Sequence, residues 1–127
     1  MARILIVDDD DMERVLERTF LENLGYHLHF AKDGAEALKI LGSVDIDVVI
    51  TDVDMPLING FLLASRIKSY AGDTHTVIMT GRCHAEVLGL MSPAIVDAWL
   101  FKPFNMDELC RVFEDLGLPQ AKKSAAV

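Results

Sequence analysis

Short apolar runs alternate with amphipathic stretches along almost the whole chain, and no other feature of the sequence restricts its fold so strongly. Ile4-Leu5-Ile6-Val7 is a continuous, mostly β-branched run, the pattern of a strand covered on both faces. From about Asp11 to Leu24, apolar residues recur at Met12, Val15, Leu16, Phe20 and Leu24. That spacing predicts a helix with this stripe inward and Gly25 just past its end. Tyr26, Leu28 and Phe30 alternate with His27 and His29, so residues 26–31 read as a strand with one wetter face. Asp33-Gly34 opens a short helix through Leu41, which Gly42 ends, and Asp47 to Thr51 is the third strand. A helix from Gly60 to Tyr70 carries Phe61, Ala64, Ile67 and Tyr70 on one face. Thr76 to Thr80 is the fourth strand, a helix over His84–Met91 follows, and Pro93 stops or kinks it. Ala98 to Phe101 is the fifth strand. Asn105 with Glu108 makes a capping box for a last helix that carries Leu109, Val112, Phe113 and Leu116 as far as Gly117. Five strands and five helices in strict alternation, joined by right-handed crossovers, predict an α/β fold: a doubly wound parallel sheet with helices on both faces.

Such a sheet needs a core, and the composition allows one. With 127 residues, 51% hydrophobic and 25% charged, the chain has the length of one domain and too much apolar material to stay unfolded. Residues 1–118 are expected to form that domain, and 119–127, small and polar, a flexible tail or the start of a linker. The most apolar stretch, 88–101, is interrupted by Pro93 and Asp97 and is shorter than the ~20 residues of a membrane span. The apolar run near the N-terminus is also far shorter than the roughly 7–15 residues of a secretory signal. A cytoplasmic location without membrane association is therefore expected. Cys83 and Cys110 match no metal or redox spacing and read as free thiols of a reducing compartment. The net charge of −8 argues against direct nucleic-acid binding, which takes a basic face. His27 and His29, with no acid or thiol partner in view, read as surface residues, as do His75 and His84.

The acids are unevenly spread. Asp8, Asp9, Asp10, Asp11, Asp52 and Asp54 are six of the 20, and without them the chain is close to neutral. Asp10 and Asp11 suit the start of the first helix, whose dipole favours acids. The others fall at strand ends, and in doubly wound sheets the ligand site lies beyond those ends, near the point where strand order reverses. The first strand ends in Asp8-Asp9, the third in Thr51-Asp52, the fourth in Thr80 and the fifth in Lys102. Three carboxylates on one rim repel one another unless a cation is present. Few, hard oxygen ligands with room for water and phosphate oxygens suit Mg²⁺, with Mn²⁺ as a substitute. A hydroxyl and a lysine across from them bind an anion. A cation site, a carboxylate nucleophile and a phosphate cradle together describe transfer of a phosphoryl group to aspartate.

On Val7-Asp8-Asp9, Asp52-Val53-Asp54-Met55-Pro56 with Gly60, Thr80-Gly81 and Lys102-Pro103-Phe104, the chain resembles the receiver domain of two-component response regulators, from residue 3 to about 117. The resemblance implies a flavodoxin-like sheet of strand order 2-1-3-4-5. It implies that Asp52 accepts the phosphoryl group and that Asp9 binds the metal directly, with Asp8 assisting through water. The backbone carbonyl of Asp54 adds a ligand, and Thr80 and Lys102 contact the phosphoryl oxygens. Lys102-Pro103 is expected to be cis, and Trp99 stands where the family has its switching aromatic. The expected donor is a phosphohistidine on a sensor histidine kinase or a histidine phosphotransfer protein. The face built by the predicted helix over 84–91, the fifth strand and the last helix is expected to bind a downstream protein. On this reading the chain is a regulator and not an enzyme, catalysing only its own phosphorylation and dephosphorylation. It either acts alone through protein contacts or leads into a linker.

Two other functions fit parts of the pattern. A binding module that works without phosphorylation would not need the intact acidic set. A Mg²⁺-dependent phosphohydrolase of the haloacid-dehalogenase type, suggested by Asp52-Val53-Asp54, would carry its Asp-x-Asp near the first strand, a residue other than Pro56 at that place, and a longer chain. Three positions depart from the receiver pattern: Asp54, Arg82, and Ser92-Pro93-Ala94-Ile95 before the fifth strand. Asp54 and Arg82, two residues beyond Asp52 and Thr80, either meet across the mouth of the site as an ion pair or both point into solvent.

Overall fold

A computed structural model describes residues 2–22, 24–55, 57–81 and 95–118. Its elements run β1 (Arg3–Val7), α1 (Asp11–Glu22), β2 (His27–Ala31), α2 (Gly34–Leu41), β3 (Val48–Asp52), α3 (Gly60–Tyr70), β4 (His75–Thr80), β5 (Ala98–Phe101) and α4 (Met106–Asp115). The helix expected over His84–Met91 lies outside the described residues, as do Cys83, Arg82 and Pro93. All five strands pair in parallel in the expected order β2-β1-β3-β4-β5. β3 runs one residue further than the sequence suggests, so Asp52 is still paired with Met79 when the strand ends.

Side chains alternate across each strand, and here both faces are buried. Ile4 and Ile6 join one core with Val48, Ile50, Val77, Met79 and Leu100, closed by Leu21 and Leu24 on one side and by Leu109 and Phe113 of α4 on the other. Leu5, Val7 and Val49 join the opposite core, which Ala37 and Leu41 of α2 and Leu63 and Ile67 of α3 cover. The helix starts follow their capping residues: the Asp33, Asn59 and Asn105 side chains accept the backbone N–H of Glu36, Leu62 and Glu108. Asp10 does the same for Glu13 at the start of α1, as expected for an acid there.

Two expectations about helix faces need correction. In α3 the buried residues are Gly60, Leu63, Ala64 and Ile67, while Tyr70 is exposed. In α1 the expected inward stripe is largely outward: Met12, Val15 and Leu16 are exposed by 71%, 58% and 66%. The inward face carries Glu13, Arg14, Glu17 and Leu21, with Leu24 buried beyond the helix end; Phe20's side chain lies outside the described residues. The reason is positional. The first turns of α1 overhang the carboxyl rim of the sheet, where the neighbours are Asp8 and Lys102, so acids rather than apolar residues turn inward there.

Candidate functional site

The rim gathers its groups from separate elements. Asp8 follows β1 and is fully buried; its N–H donates to the carbonyl of Ala31, and its Oδ1 accepts the N–H of Asp10 at 3.0 Å. Its Oδ2 has no hydrogen-bond partner. Asp52 closes β3, and its Oδ2 accepts from Lys102 Nζ at 3.0 Å. Lys102 follows β5, anchored by its N–H on the carbonyl of Thr80 at 2.7 Å, and its bond to Pro103 is cis. Thr80 is buried at the end of β4. Asp9 and Asp54 are exposed beside this cluster, and the N–H of Asp54 donates to the Asp52 carboxylate. Arg82, the candidate partner of Asp54, lies outside the described residues.

Two residues of the site carry no strand-end signal. Glu13 Oε2 accepts from Lys102 Nζ at 2.8 Å, and Glu17 lies one turn further in, within hydrogen-bonding reach of Asp8. The available signal was phase: positions 13, 17 and 21 share one side of α1, and Leu21 marks that side as buried.

Burial and charge act in opposite directions on these groups. Burial raises Asp8 to about 6 despite the Asp10 N–H, and it raises Asp52 although Lys102 pulls the other way. Burial, then the neighbouring Asp8 charge, push Glu17 up to about 9. Both effects favour the neutral form of Glu17 beside the buried carboxylate of Asp8. Glu13 is lowered, chiefly by its hydrogen bond from Lys102. Burial disfavours the Lys102 ammonium, but its bonds to Glu13 and Asp52 outweigh that and raise its pKa.

Asp8, Glu13 and Asp52 offer carboxylate oxygens within 4.8 Å of one another, a hard-oxygen set that suits a small divalent cation. The orphaned, fully buried Asp8 Oδ2 fits that use. Beside the acids a cleft of about 430 Å³ opens between Leu16 of α1, Gly81, Lys102, Pro103 and Phe104. Trp99, facing the other way, packs with Val53, Ala64, Ile78 and Val96 and against the Phe61 and Phe101 rings; its Nε1 has no hydrogen-bond partner. No helix among the described residues is long and apolar enough to cross a membrane.

The comparisons with known proteins agree with this geometry. The chain is 38% identical over 110 residues to the response regulator MprA of Mycolicibacterium vanbaalenii, covering 85% of this chain and 47% of the relative. It is 36% identical over 106 residues to the sensor histidine kinase RcsC of Salmonella typhi, covering 84% of this chain and 11% of that protein. The chain thus spans less than half the length of these curated relatives. Among solved structures, the Thermotoga maritima response regulator TrrA in complex with Mg²⁺ and beryllofluoride superposes with a TM-score of 0.83 at 35% identity, covering 91% of this chain and 99% of that one. The same protein in complex with the histidine kinase ThkA matches with a TM-score of 0.79 at 34% identity, over 91% of this chain and 98% of that one. The response regulator receiver domain model matches residues 4–114, and the chain belongs to that family of signalling domains.

Proposed function

We propose that the chain is a phosphorylation-activated switch in which Asp52 takes a phosphoryl group from a phosphohistidine. The observation that carries this is the convergence of Asp8, Asp52, Thr80 and Lys102 at the ends of four adjacent strands. An Asp52 carboxylate oxygen attacks phosphorus, the bond from phosphorus to the donor imidazole breaks, and its electrons leave with the imidazole. Asp8, Asp9, Asp52 and the carbonyl of Asp54 would hold Mg²⁺ or Mn²⁺, which would supply neutralisation of the charge at the transferring group. Thr80 and Lys102 receive the phosphoryl oxygens. The donor is a sensor histidine kinase or a phosphotransfer protein. Leu16 on the wall of the cleft, with Met12 and Val15 exposed on the same helix, offers apolar surface on which it seats. A downstream protein reads the face of β5, α4 and the segment between β4 and β5.

The test is incubation with Mg²⁺ and acetyl phosphate. Intact mass should show one hydroxylamine-labile phosphate on the wild type and none on Asp52→Asn. Equal labelling of the two would sink the assignment. Trp99, the chain's only tryptophan, reports the switch. A Cβ at Gly81 would meet nothing within 4 Å, which leaves room for Thr80 to move toward the phosphoryl group and for Trp99 to follow. Beryllofluoride should change Trp99 emission in the wild type but not in Asp52→Asn. Emission unchanged by bound beryllofluoride would remove Trp99 from the switch.

A further inference from the structure

Lys102 has more carboxylates around it than phosphoryl transfer by itself requires. Its ammonium lies 3.0 Å from Asp52 Oδ2 and 3.6 Å from the buried, otherwise unpartnered Asp8 Oδ2, and closest of all, 2.8 Å, to Glu13 Oε2. Glu13 comes from the first turn of α1, while the other groups come from strand ends. Three carboxylates at this spacing hold together around a cation, and in this structure the ammonium is that cation. A divalent cation on Asp8 and Asp52 occupies two of its three partners and repels the ammonium as well. Among the described residues Glu13 is then its one remaining carboxylate partner.

We infer that Glu13 is a positioning residue for the phosphoryl-transfer reaction: it keeps the Lys102 ammonium at the rim when a divalent cation takes Asp8 and Asp52, so that Lys102 is in place for the phosphoryl oxygens. This rests on Asp52 being the phosphoacceptor. In this role Glu13 acts through Lys102: its carboxylate lies within 4.8 Å of those of Asp8 and Asp52, but its nearest partner is the ammonium, at 2.8 Å. Its surroundings suit the role. Its side chain is 41% exposed, so its charge survives without a counter-ion. Arg14, the adjacent cation, is turned away onto the carbonyl of Asp8 and the carboxylate of Asp11.

Calorimetric titration of the full chain, first with Mg²⁺ and then with beryllofluoride at saturating Mg²⁺, tests this on wild type, Glu13→Gln, Lys102→Met and the double variant. Where binding is too weak to titrate, the rate of labelling by acetyl phosphate takes its place. Glu13→Gln should weaken beryllofluoride about tenfold, the loss of one charge-assisted hydrogen bond between partly exposed groups. It should change Mg²⁺ affinity by less than about threefold, because the nearest carboxylates to the cation are intact. In the Lys102→Met background the same substitution should add nothing. A large loss of Mg²⁺ affinity, with beryllofluoride binding restored at saturating Mg²⁺, would make Glu13 a cation ligand and overturn the inference. A lowered melting temperature with both affinities unchanged would reduce the pair to a structural contact and also overturn it. So would an undiminished effect of Glu13→Gln in the absence of Lys102. Failure of the wild type to bind beryllofluoride, or binding that survives Asp52→Asn, would instead overturn the phosphoacceptor reading; normal wild-type binding with Glu13→Gln unaffected overturns only the role of Glu13.

Discussion

Glu17→Leu should stabilise the metal-free protein at pH 7 by roughly 2 kcal/mol and flatten its pH dependence. Glu17 sits on the packed side of α1, its Oε1 lacks a hydrogen-bond partner, and beside it lies a narrow void between Ile6, Leu21, Ile50, Met79, Phe104 and Leu109. A leucine extends that apolar lining, and no carboxyl has to be buried. Burial, then the charge of Asp8, raise Glu17 from 4.5 to about 9. The folded chain therefore keeps this proton up to about pH 9, whereas the unfolded chain releases it near 4.5. The folded state binds more protons across that window, so stability falls as pH rises through it. Asp8, raised to about 6, adds to the fall in its lower part. One such group gives at most ~1.4 kcal/mol per pH unit, and partial contact with solvent reduces that. Urea unfolding with chelator present, between about pH 5 and 9, reads both effects. If Glu17→Leu is no more stable than the wild type at pH 7, or keeps its slope above that pH, Glu17 is ionised and satisfied in the folded protein.

Gly60→Ala should cost about 2–4 kcal/mol of stability and slow the labelling of Asp52. Gly60 begins α3, and its N–H donates to the carbonyl of Val53 at 2.9 Å, tying the helix to the chain just after Asp52. A Cβ on Gly60 would lie 2.3 Å from the carbonyl oxygen of Asp52 and 3.0 Å from both Asp52 C and Val53 Cα. These are backbone atoms, so no side-chain rotation relieves the clash. Either α3 lifts from the end of β3 and opens the core around Leu63 and Ile67, or the backbone of Asp52 is displaced from Lys102. The first lowers the urea midpoint; the second shows in the labelling rate of the protein that remains folded. A Gly60→Ala protein matching the wild type in both would mean that the approach of α3 to β3 is looser than 2.3 Å implies.

Which acids matter was only partly legible in the sequence. Asp8, Asp52, Thr80 and Lys102 stand out because each ends an apolar run, and a parallel sheet sends the ends of its strands to one rim. That inference needs only the order and period of the elements, which local patterning carries. Asp9 adjoins the same strand end, yet its side chain is exposed beside the cluster, because successive residues leaving a strand point in different directions.

Glu13 and Glu17 show where patterning runs out. The apolar residues Met12, Val15 and Leu16 have the spacing of a core stripe, and on an isolated helix that would be the reasonable inward face. The phase of a helix is settled by what it packs against, and the first turns of α1 pack against Asp8 and against a lysine that is 89 residues away along the chain. Element order, the parallel sheet and the four strand-end groups follow from short-range periodicity and strand termini, which are local properties of the chain. The tertiary structure alone decided that two glutamates turn inward and three apolar side chains outward. The electrostatic field that makes buried acids tolerable there is assembled only when β1, β3 and β5 bring Asp8, Asp52 and Lys102 together beneath α1.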